Sequence, residues 1–254
     1  MSELQKVLLI SIAQNRMSDS TFHFKEFKVK QDRCAMKVGT DGVLLGAWTE
    51  IDSDVDSILD IGTGTGLIAL QMAQRSTAQT IDALEIEPHA FEQAVENFEN
   101  SQWADRLFCY HASLQEFVNE IDEKYDLIIS NPPYFNDTFK DLDKQRALAR
   151  HTQELSFNDL LDGVSKLLTN EGKAALIIPF KEEANFLELA KIRNLFPLRI
   201  SRYRGNENSD LKRSLVELKN EFTTLTSEAF FLEHSRHEYS EYYKNLVKDF
   251  YLKL

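Results

Sequence analysis

The chain has 254 residues, of which 43% are hydrophobic, and a formal net charge of −12 at pH 7. This length and hydrophobic content are enough for one substantial core. The acidic balance argues against a protein that binds nucleic acid indiscriminately, because such binding needs an excess of Lys and Arg. Cys34 and Cys109 have no metal-binding or redox spacing, so we expect no disulfide framework, no metal and a reducing, cytoplasmic location.

The first element in the chain is an N-terminal extension, residues 1–21. Its apolar run 7–13 is too short to span a bilayer, and no small-residue cleavage site clearly follows it. We expect the extension to pack on the rest of the chain or to be disordered, and we expect no membrane association. Residues 22–254 contain no Pro/Gly/Ser-rich linker, and we predict that they form a single monomeric domain.

Short apolar runs alternate with segments of helical composition, which is typical of an α/β fold with a doubly wound sheet. The predicted strands are 57–61, 80–85, 106–110, 125–129, 174–179, 198–203 and 213–219, with an extra candidate at 227–232. The predicted helices are 41–49, 66–75, 88–99, 156–168, 181–195 and 239–250. Gly172 is expected to act as a C-cap at the end of the helix that begins at 156.

A glycine-rich loop separates the first of these strands from its helix. The strand ends with Asp60 and Ile61, and the loop contains Gly62, Gly64 and Gly66. Glycines allow a sharp turn and a close approach to a ligand, and the following helix N-terminus offers N–H groups to an anion. The spacing is G-x-G-x-G and not the G-x-G-x-x-G of dinucleotide sites. It therefore favours S-adenosylmethionine, whose anionic group is a carboxylate.

The second strand ends in an acid, Glu85. A carboxylate at this edge of an open parallel sheet is suited to the two hydroxyls of a ribose. Glu85 is therefore the predicted ribose ligand of the cofactor.

The strand predicted at 125–129 leads into the sequence Ser-Asn-Pro-Pro-Tyr. The Asn131 side-chain carbonyl and the Pro132 backbone carbonyl can accept the two hydrogens of a planar amino group, such as that of adenine. The prolines fix φ and keep that carbonyl aimed, and Tyr134 can stack on the ring that carries the amine. The alternative is an ordinary turn, since Asn-Pro and Pro-Pro are common turn formers. The order of the glycine loop, Glu85 and this motif favours a catalytic site.

Taken together, the segments 60–66 and 131–134 with Glu85 between them resemble the class I S-adenosylmethionine-dependent amino-methyltransferases. The stretch 32–48 is similar to the N-terminal signature of the bacterial tRNA(Val)-specific adenine N6-methyltransferases, and the end of the chain, 239–252, resembles the C-terminus of that family. The resemblance covers about 22–254. It implies a Rossmann-like seven-stranded sheet flanked by helices, with strand order 3-2-1-4-5-7-6 and the last strand antiparallel. It also implies methylation of adenine-37, beside the anticodon of tRNA.

The resemblance carries further residues into the cofactor site. Thr40 and Asp41 would begin a helix near the cofactor, although an N-cap pair is an equally good interpretation of them. Ser113 follows the third strand at a place where the family commonly has an Asp beside the cofactor adenine. A serine can still donate a hydrogen bond there but brings no charge.

Substrate contacts are expected on both sides of the Asn-Pro-Pro-Tyr motif. Phe135 would wall the pocket or belong to the core. Arg150 and His151 lie where a substrate backbone could pass, although a helix start is an equally good interpretation of His151. Local clusters of Lys and Arg within 25–37 and 191–213, including Arg202 and Arg204, could bind tRNA phosphates. Taken singly, each cluster is better explained as solvated surface charge.

Two other functions fit the same sequence. A protein glutamine methyltransferase or a DNA adenine methyltransferase would use the same amine chemistry. A catalytically silent RNA-binding protein could retain the fold, although the intact Asn-Pro-Pro-Tyr motif argues against it.

Overall fold

The computed structural model describes residues 20–133 and 155–253. Its centre is one eight-stranded sheet with the order β10-β8-β9-β7-β6-β3-β4-β5. Its strands are β3 (Ser57–Ile61), β4 (Thr80–Glu85), β5 (Leu107–His111), β6 (Tyr125–Ser130), β7 (Leu168–Pro179), β8 (Phe196–Arg204), β9 (Leu211–Lys219) and β10 (Thr226–Phe231). β9 runs antiparallel to both β7 and β8, and the remaining pairs are parallel.

Seven of these strands have the order that the family resemblance implies, with the antiparallel strand in the expected place. The expected number of strands was wrong, because the extra candidate at 227–232 is a full member of the sheet. It forms β10, which pairs in parallel with Arg199–Arg204 of β8. Phe230 of β10 is buried against Tyr203 of β8, so the eighth strand covers an edge that would otherwise be open.

Seven α-helices flank the sheet in the described residues. They are α1 (Thr40–Trp48), α2 (Leu67–Arg75), α3 (Pro88–Glu99), α4 (Leu114–Glu120), α5 (Phe157–Leu167), α6 (Glu183–Ile192) and α7 (Glu241–Val247). None of them, in the part of the chain that is described, is both long and apolar enough to cross a bilayer. Short antiparallel pairs complete the fold, namely β1 (Thr21–His23) with β2 (Lys28–Lys30) and β11 (Glu233–Ser235) with β12 (Glu238–Tyr239).

The residues after α5 differ from the sequence-based prediction. The helix ends at Leu167, and Leu168 is already extended, so Gly172 is not its C-cap. Tyr125 of β6 pairs with Leu168, whereas Leu127 pairs with Lys173. The turn-forming residues between these two pairing points therefore make an irregularity in β7 and not a helix end.

Hydrophobic residues of the strands alternate between two core clusters. Ile58 belongs to the first cluster and Leu59 to the second, and Leu127 and Ile128 alternate in the same way. Side chains that follow each other in a strand point to opposite faces, so a core lies on each face of the sheet. Helices α1, α2, α3 and α7 pack on one face, and α4, α5 and α6 pack on the other.

The two ends of the described chain meet on the first face. Phe24 forms an isolated antiparallel bridge with Tyr251, and the Lys25 N–H donates to the Phe250 carbonyl over 2.9 Å. The segment that leads into α1 is therefore anchored to the C-terminal end of the chain. From there it runs along α3 towards the carboxyl edge of the sheet.

Candidate active site

The glycine loop after β3 turns through three left-handed residues. The φ angles are +72° at Gly62, +58° at Gly64 and +81° at Gly66, a region that side chains other than glycine rarely adopt. The N–H groups of Gly62 and Thr63 both donate to the Leu84 carbonyl over 2.9 Å. These two bonds join the loop to the end of β4 and fix its position at the carboxyl edge of the sheet.

The three glycines have different surroundings. A Cβ atom at Gly62 or Gly64 would meet no described atom within 4 Å, whereas one at Gly66 would lie 2.5 Å from the Phe98 ring. Gly66 is therefore required for packing against α3. Gly62 and Gly64 border open space at the helix N-terminus, which suits the approach of a ligand to the backbone.

Asp60 supports this loop from inside the protein. Its Oδ2 atom accepts hydrogen bonds from Thr63 Oγ1 over 2.6 Å and from the Ala69 N–H over 3.2 Å. Its Oδ1 atom is buried with no hydrogen-bond partner among the described residues. Burial raises the pKa of the carboxyl from 3.8 to about 7. The orphaned buried oxygen and the open space beside the glycines together fit a polar ligand such as the predicted cofactor.

Glu85 lies on the other side of the same loop. Its Oε2 atom accepts from the Gly64 N–H and its Oε1 atom from the Glu87 N–H, each over 2.9 Å. The carboxylate is buried and is held by two backbone groups. Its place at the end of β4 is the one that a ribose ligand requires, and this role stays a prediction.

Ser113 follows β5 and forms the N-cap of α4. Its hydroxyl accepts from the Glu116 N–H over 3.2 Å and donates to the Glu116 carboxylate over 2.7 Å. Glu116 accepts in turn from the Ser113 N–H, which completes a capping box. This short helix was absent from the sequence-based prediction, although the Ser-x-x-Glu spacing signals it. The cofactor role of Ser113 stays a prediction beside this structural one.

Asn131 stands where β6 ends, beside the start of two helices. Ser130 Oγ donates to the Ile61 carbonyl over 2.8 Å, which joins the end of β6 to the end of β3. A Cβ atom at Gly42 would lie 3.8 Å from Asn131 Nδ2 and 3.1 Å from Leu67 Cδ2. The structure therefore brings the Asn-Pro motif, the first turn of α1 and the glycine loop to one place. Sequence spacing gave no signal of the contact with Gly42.

The first turn of α1 differs from one of the two interpretations of Thr40 and Asp41. The N-cap residue is Gly39, and neither side chain caps the helix. Asp41 instead accepts hydrogen bonds from Arg213 Nε over 2.8 Å and from the Tyr203 hydroxyl. The N-cap interpretation was therefore wrong for this pair. Thr40 is exposed at the helix start, and its contact with the cofactor stays a prediction.

Much of the basic cluster within 191–213 is bonded inside the protein. Arg202 donates to both carboxylate oxygens of Glu183 over 2.8 and 2.6 Å. Arg199 pairs with Glu217. Among the described residues, Arg204 donates only to the Glu207 backbone carbonyl, over 3.3 Å. Phosphate contact therefore fits Arg204 better than Arg202.

The predicted residues Tyr134, Phe135, Arg150 and His151 lie outside the described residues, as does the apolar run 7–13. Their assignments stay predictions. The other predicted cofactor and amine residues, apart from Ser113 and Thr40, converge on the ends of β3, β4 and β6.

Comparisons with known proteins agree with this geometry. The family model of the methyltransferase small domain matches residues 41–174. The protein named tRNA1(Val) (adenine(37)-N6)-methyltransferase from Christiangramia forsetii is 56% identical, and the match covers 94% of this chain and all of the relative. The protein of the same name from Flavobacterium johnsoniae is 51% identical over 92% of this chain and all of its own length.

Solved structures show the same fold at lower identity. A predicted O-methyltransferase from Agrobacterium tumefaciens has a TM-score of 0.65 and 21% identity, with 83% of this chain and 96% of that chain covered. The fold is that of the class I methyltransferases, and the cofactor is S-adenosylmethionine. With identities above 50% over more than nine-tenths of its length, the chain belongs to the family of the tRNA1(Val) (adenine(37)-N6)-methyltransferases.

Proposed function

We propose that the chain transfers a methyl group from S-adenosylmethionine to N6 of an adenine in tRNA, namely adenine-37 of tRNA1(Val). The observation that carries this proposal is the position of Asn131 directly after β6, where the end of β6 is bonded to the end of β3 and Gly42 of α1 lies close to the Asn131 amide. An amide oxygen at this place can bind an amino group beside the glycine loop. The names of the relatives supply the nucleotide and the tRNA.

The sulfonium cofactor supplies an electrophilic methyl group, so the task of the protein is alignment. Asn131 Oδ1 and the Pro132 carbonyl accept the two N6 hydrogens and orient the nitrogen lone pair towards the methyl. Positioning of this kind can supply a large part of the barrier lowering. Positive charge develops on the nitrogen during attack, and the two acceptors stabilise it. The nitrogen loses its proton after the C–N bond forms, so no strong general base is required.

We assign the remaining contacts by the same chemistry. Tyr134 is the stacking platform for the adenine ring, Phe135 a wall of its pocket, and Arg150 and His151 contacts to the substrate backbone. Stacking on an aromatic ring contributes about 1–3 kcal/mol per base. Asp60 and the glycines form the methionine side of the cofactor site, with Glu85 at the ribose and Thr40 and Ser113 at its margin.

An unpaired loop suits this site better than a duplex. A base within a duplex must be extruded before it reaches a pocket at the strand ends, whereas a loop base costs less to expose. The exposed side chains of Lys28, Lys37 and Lys212, with Arg204, are the groups that we propose for the phosphates. The acidic remainder of the surface disfavours other modes of binding.

We also propose that the protein acts as a monomer in the cytoplasm, with residues 22–254 forming one domain. The contacts of Phe24 and Lys25 with the end of the chain support the single domain. Attack on a sulfonium methyl needs no Lewis acid, so we propose a reaction without a metal.

The substrate class is tested by competition in one assay. Labelled S-adenosylmethionine is incubated with the protein and equal masses of bulk tRNA, double-stranded DNA and a protein fraction, and the label in each is counted. We expect the label in tRNA. Preferential labelling of DNA or of protein glutamine would replace this function with one of the two related methyltransferase activities. Absence of label in all three would favour a silent RNA-binding protein.

A further inference from the structure

Asn97 of α3 makes three hydrogen bonds outside its own helix, although it belongs to no predicted site. Its Oδ1 atom accepts from the Lys30 N–H over 2.9 Å, and its Nδ2 atom donates to the Lys30 carbonyl over 2.9 Å. The same Nδ2 atom donates to the Thr65 carbonyl over 2.8 Å. The side chain is 3% exposed, so these groups have little access to water as an alternative partner.

The bond to Thr65 acts on the glycine loop. The peptide plane between Thr65 and Gly66 carries the Thr65 carbonyl on one side and the Gly66 N–H on the other. That N–H donates to the Thr63 carbonyl within the loop over 3.0 Å. The Thr65 carbonyl, on the other side of the peptide, is bonded by Asn97. The Phe98 ring packs against Gly66 in the same region. Two consecutive residues of α3 thus constrain the end of the loop.

The bonds to Lys30 act on a second wall of the site. The chain after Lys30 runs along α3, where the Arg33 N–H donates to Gln93 Oε1 over 3.2 Å. It then enters α1, whose Gly42 lies beside Asn131. Asn97 is therefore the side chain that bonds both the cofactor loop and the segment leading to the amine site. A loss of its amide would leave the buried Thr65 carbonyl without this donor.

We propose that Asn97 is a positioning residue, which holds the Thr65–Gly66 peptide in the orientation that binds S-adenosylmethionine. It acts through the loop and not by touching the reacting atoms. The proposal deepens the proposed function and rests on it for the reaction, while the binding step concerns the cofactor alone.

The test compares variants that remove different bonds. Asn97→Asp keeps the acceptor for the Lys30 N–H and removes the donor to the Thr65 and Lys30 carbonyls, and Asn97→Ala removes all three bonds. Gln93→Ala is a matched control that releases the same segment at Arg33 without altering a bond to the loop. Asn100→Ala is a second control, because Asn100 is exposed and, among the described residues, its side chain donates only to the Glu96 carbonyl of α3.

The dissociation constant of S-adenosylmethionine is measured by calorimetry well below each Tm. We expect Asn97→Asp and Asn97→Ala to bind at least about tenfold more weakly, and Gln93→Ala and Asn100→Ala to stay within about threefold of the parent. KM for the cofactor should rise in the Asn97 variants, while kcat at saturating cofactor stays within about threefold. A fall in Tm with an unchanged dissociation constant would show a purely structural role and overturn the proposal.

The parent protein provides a test that requires no substitution. In ¹⁵N NMR spectra, the Asn97 side-chain amide should exchange slowly with solvent and shift when S-adenosylmethionine is added. A resonance that stays unperturbed through the titration would contradict the proposal even if every Asn97 variant failed to fold. Absence of tRNA methylation by a parent protein that binds the cofactor would refute the proposed function and leave the role of Asn97 intact.

Discussion

At the ends of β3, β4 and β6 the polar groups border open space, whereas at the ends of β8 and β9 many charged groups bond to one another. In the first region, a Cβ atom at Gly62 or Gly64 would meet no described atom within 4 Å, and Asp60 has a buried oxygen without a described partner. In the second region, Arg202 pairs with Glu183 and Arg213 pairs with Asp41. The two regions lie on one sheet, but the polar groups of the first are open to a ligand and those of the second pair with one another.

The difference shows that a cluster of basic residues in a sequence is not yet a surface for nucleic acid. Glu183 is buried, and it accepts from both Arg202 and the Ser214 hydroxyl. Such a network holds strands and helices together. The cofactor region, by contrast, leaves hydrogen-bonding capacity for a ligand. Substitutions in the two regions should therefore have different consequences.

The largest effect is expected in the amine site. Asn131→Ala should lower kcat about 10²–10³-fold, because the lost acceptor acts on charge that develops in the transition state. The dissociation constant of S-adenosylmethionine should stay within about threefold of the parent value. Single-turnover kinetics and calorimetry measure the two quantities. A variant with the parental rate would remove Asn131 from the chemistry.

The next effect is one of stability in the β8–β9 region. Arg202→Ala should lower the free energy of unfolding by about 2–3 kcal/mol, because it leaves the Glu183 carboxylate buried without its cation. Urea unfolding measures this change. Arg204→Ala is the control and should change stability by no more than about 0.5 kcal/mol.

A double variant sharpens the same prediction. Adding Glu183→Gln to Arg202→Ala should recover part of the lost stability, since the buried charge is then removed. Equal losses in Arg202→Ala and Arg204→Ala would show that the two arginines are equivalent surface charges. The contrast between the two regions would then fail.

The stability of the protein should depend on pH through Asp60, which lies beside the glycine loop. Burial raises the pKa of its carboxyl to about 7 in the folded protein, so the folded state holds the proton more tightly than the unfolded state. The resulting stabilisation is complete below about pH 4 and is lost as the pH rises through about 7. Between pH 5 and pH 7, the loss of this contribution should lower the free energy of unfolding of the cofactor-free protein by about 2 kcal/mol.

Asp60→Asn isolates that contribution, because an amide oxygen can still accept from Thr63 and Ala69 but does not titrate. The difference in unfolding free energy between variant and parent should shift by about 2 kcal/mol in favour of the variant from pH 5 to pH 7. Urea unfolding at both pH values measures it. A difference that is independent of pH would mean that the Asp60 carboxyl does not titrate in this range.

The smallest effect concerns phosphate binding. Methylation of tRNA should weaken as the salt concentration rises, and Arg204→Ala and Lys212→Ala should each reduce the slope of log KM against log salt by about one. Arg202→Ala should leave the slope unchanged, because its guanidinium is bonded to Glu183. If Arg202→Ala alone reduced the slope, tRNA would contact the region of ion pairs at β8 and β9, and the contrast between the two regions would fail.

Local patterns in the sequence predicted the elements that form the cofactor edge. The bounds of β3 and β4 agree with the prediction, because continuous apolar runs between turn residues are typical of buried strands. The glycine loop and the Asn-Pro motif were placed at the ends of their strands for the same reason. The resemblance to a family supplied the order of the strands, which periodicity alone does not contain.

Contacts between residues far apart in the chain could not be predicted. Asn97 and Lys30 are 67 positions apart, and Arg213 and Asp41 are 172 apart. No local spacing announces such pairs, so the basic cluster was interpreted by its composition alone. The misassigned Gly172 has a similar cause, since a glycine after a helix signals a C-cap equally well when the chain has already become a strand.

The central claim is that the site at the ends of β3, β4 and β6 methylates N6 of one adenine in tRNA. Mass spectrometry tests it most directly, after tRNA1(Val) is incubated with the protein and methyl-labelled S-adenosylmethionine and digested with a nuclease. We predict labelled N6-methyladenosine in the fragment that contains position 37, and a strongly reduced amount with Asn131→Ala. Label on another nucleoside or at another position, or equal labelling by parent and variant, would contradict the account.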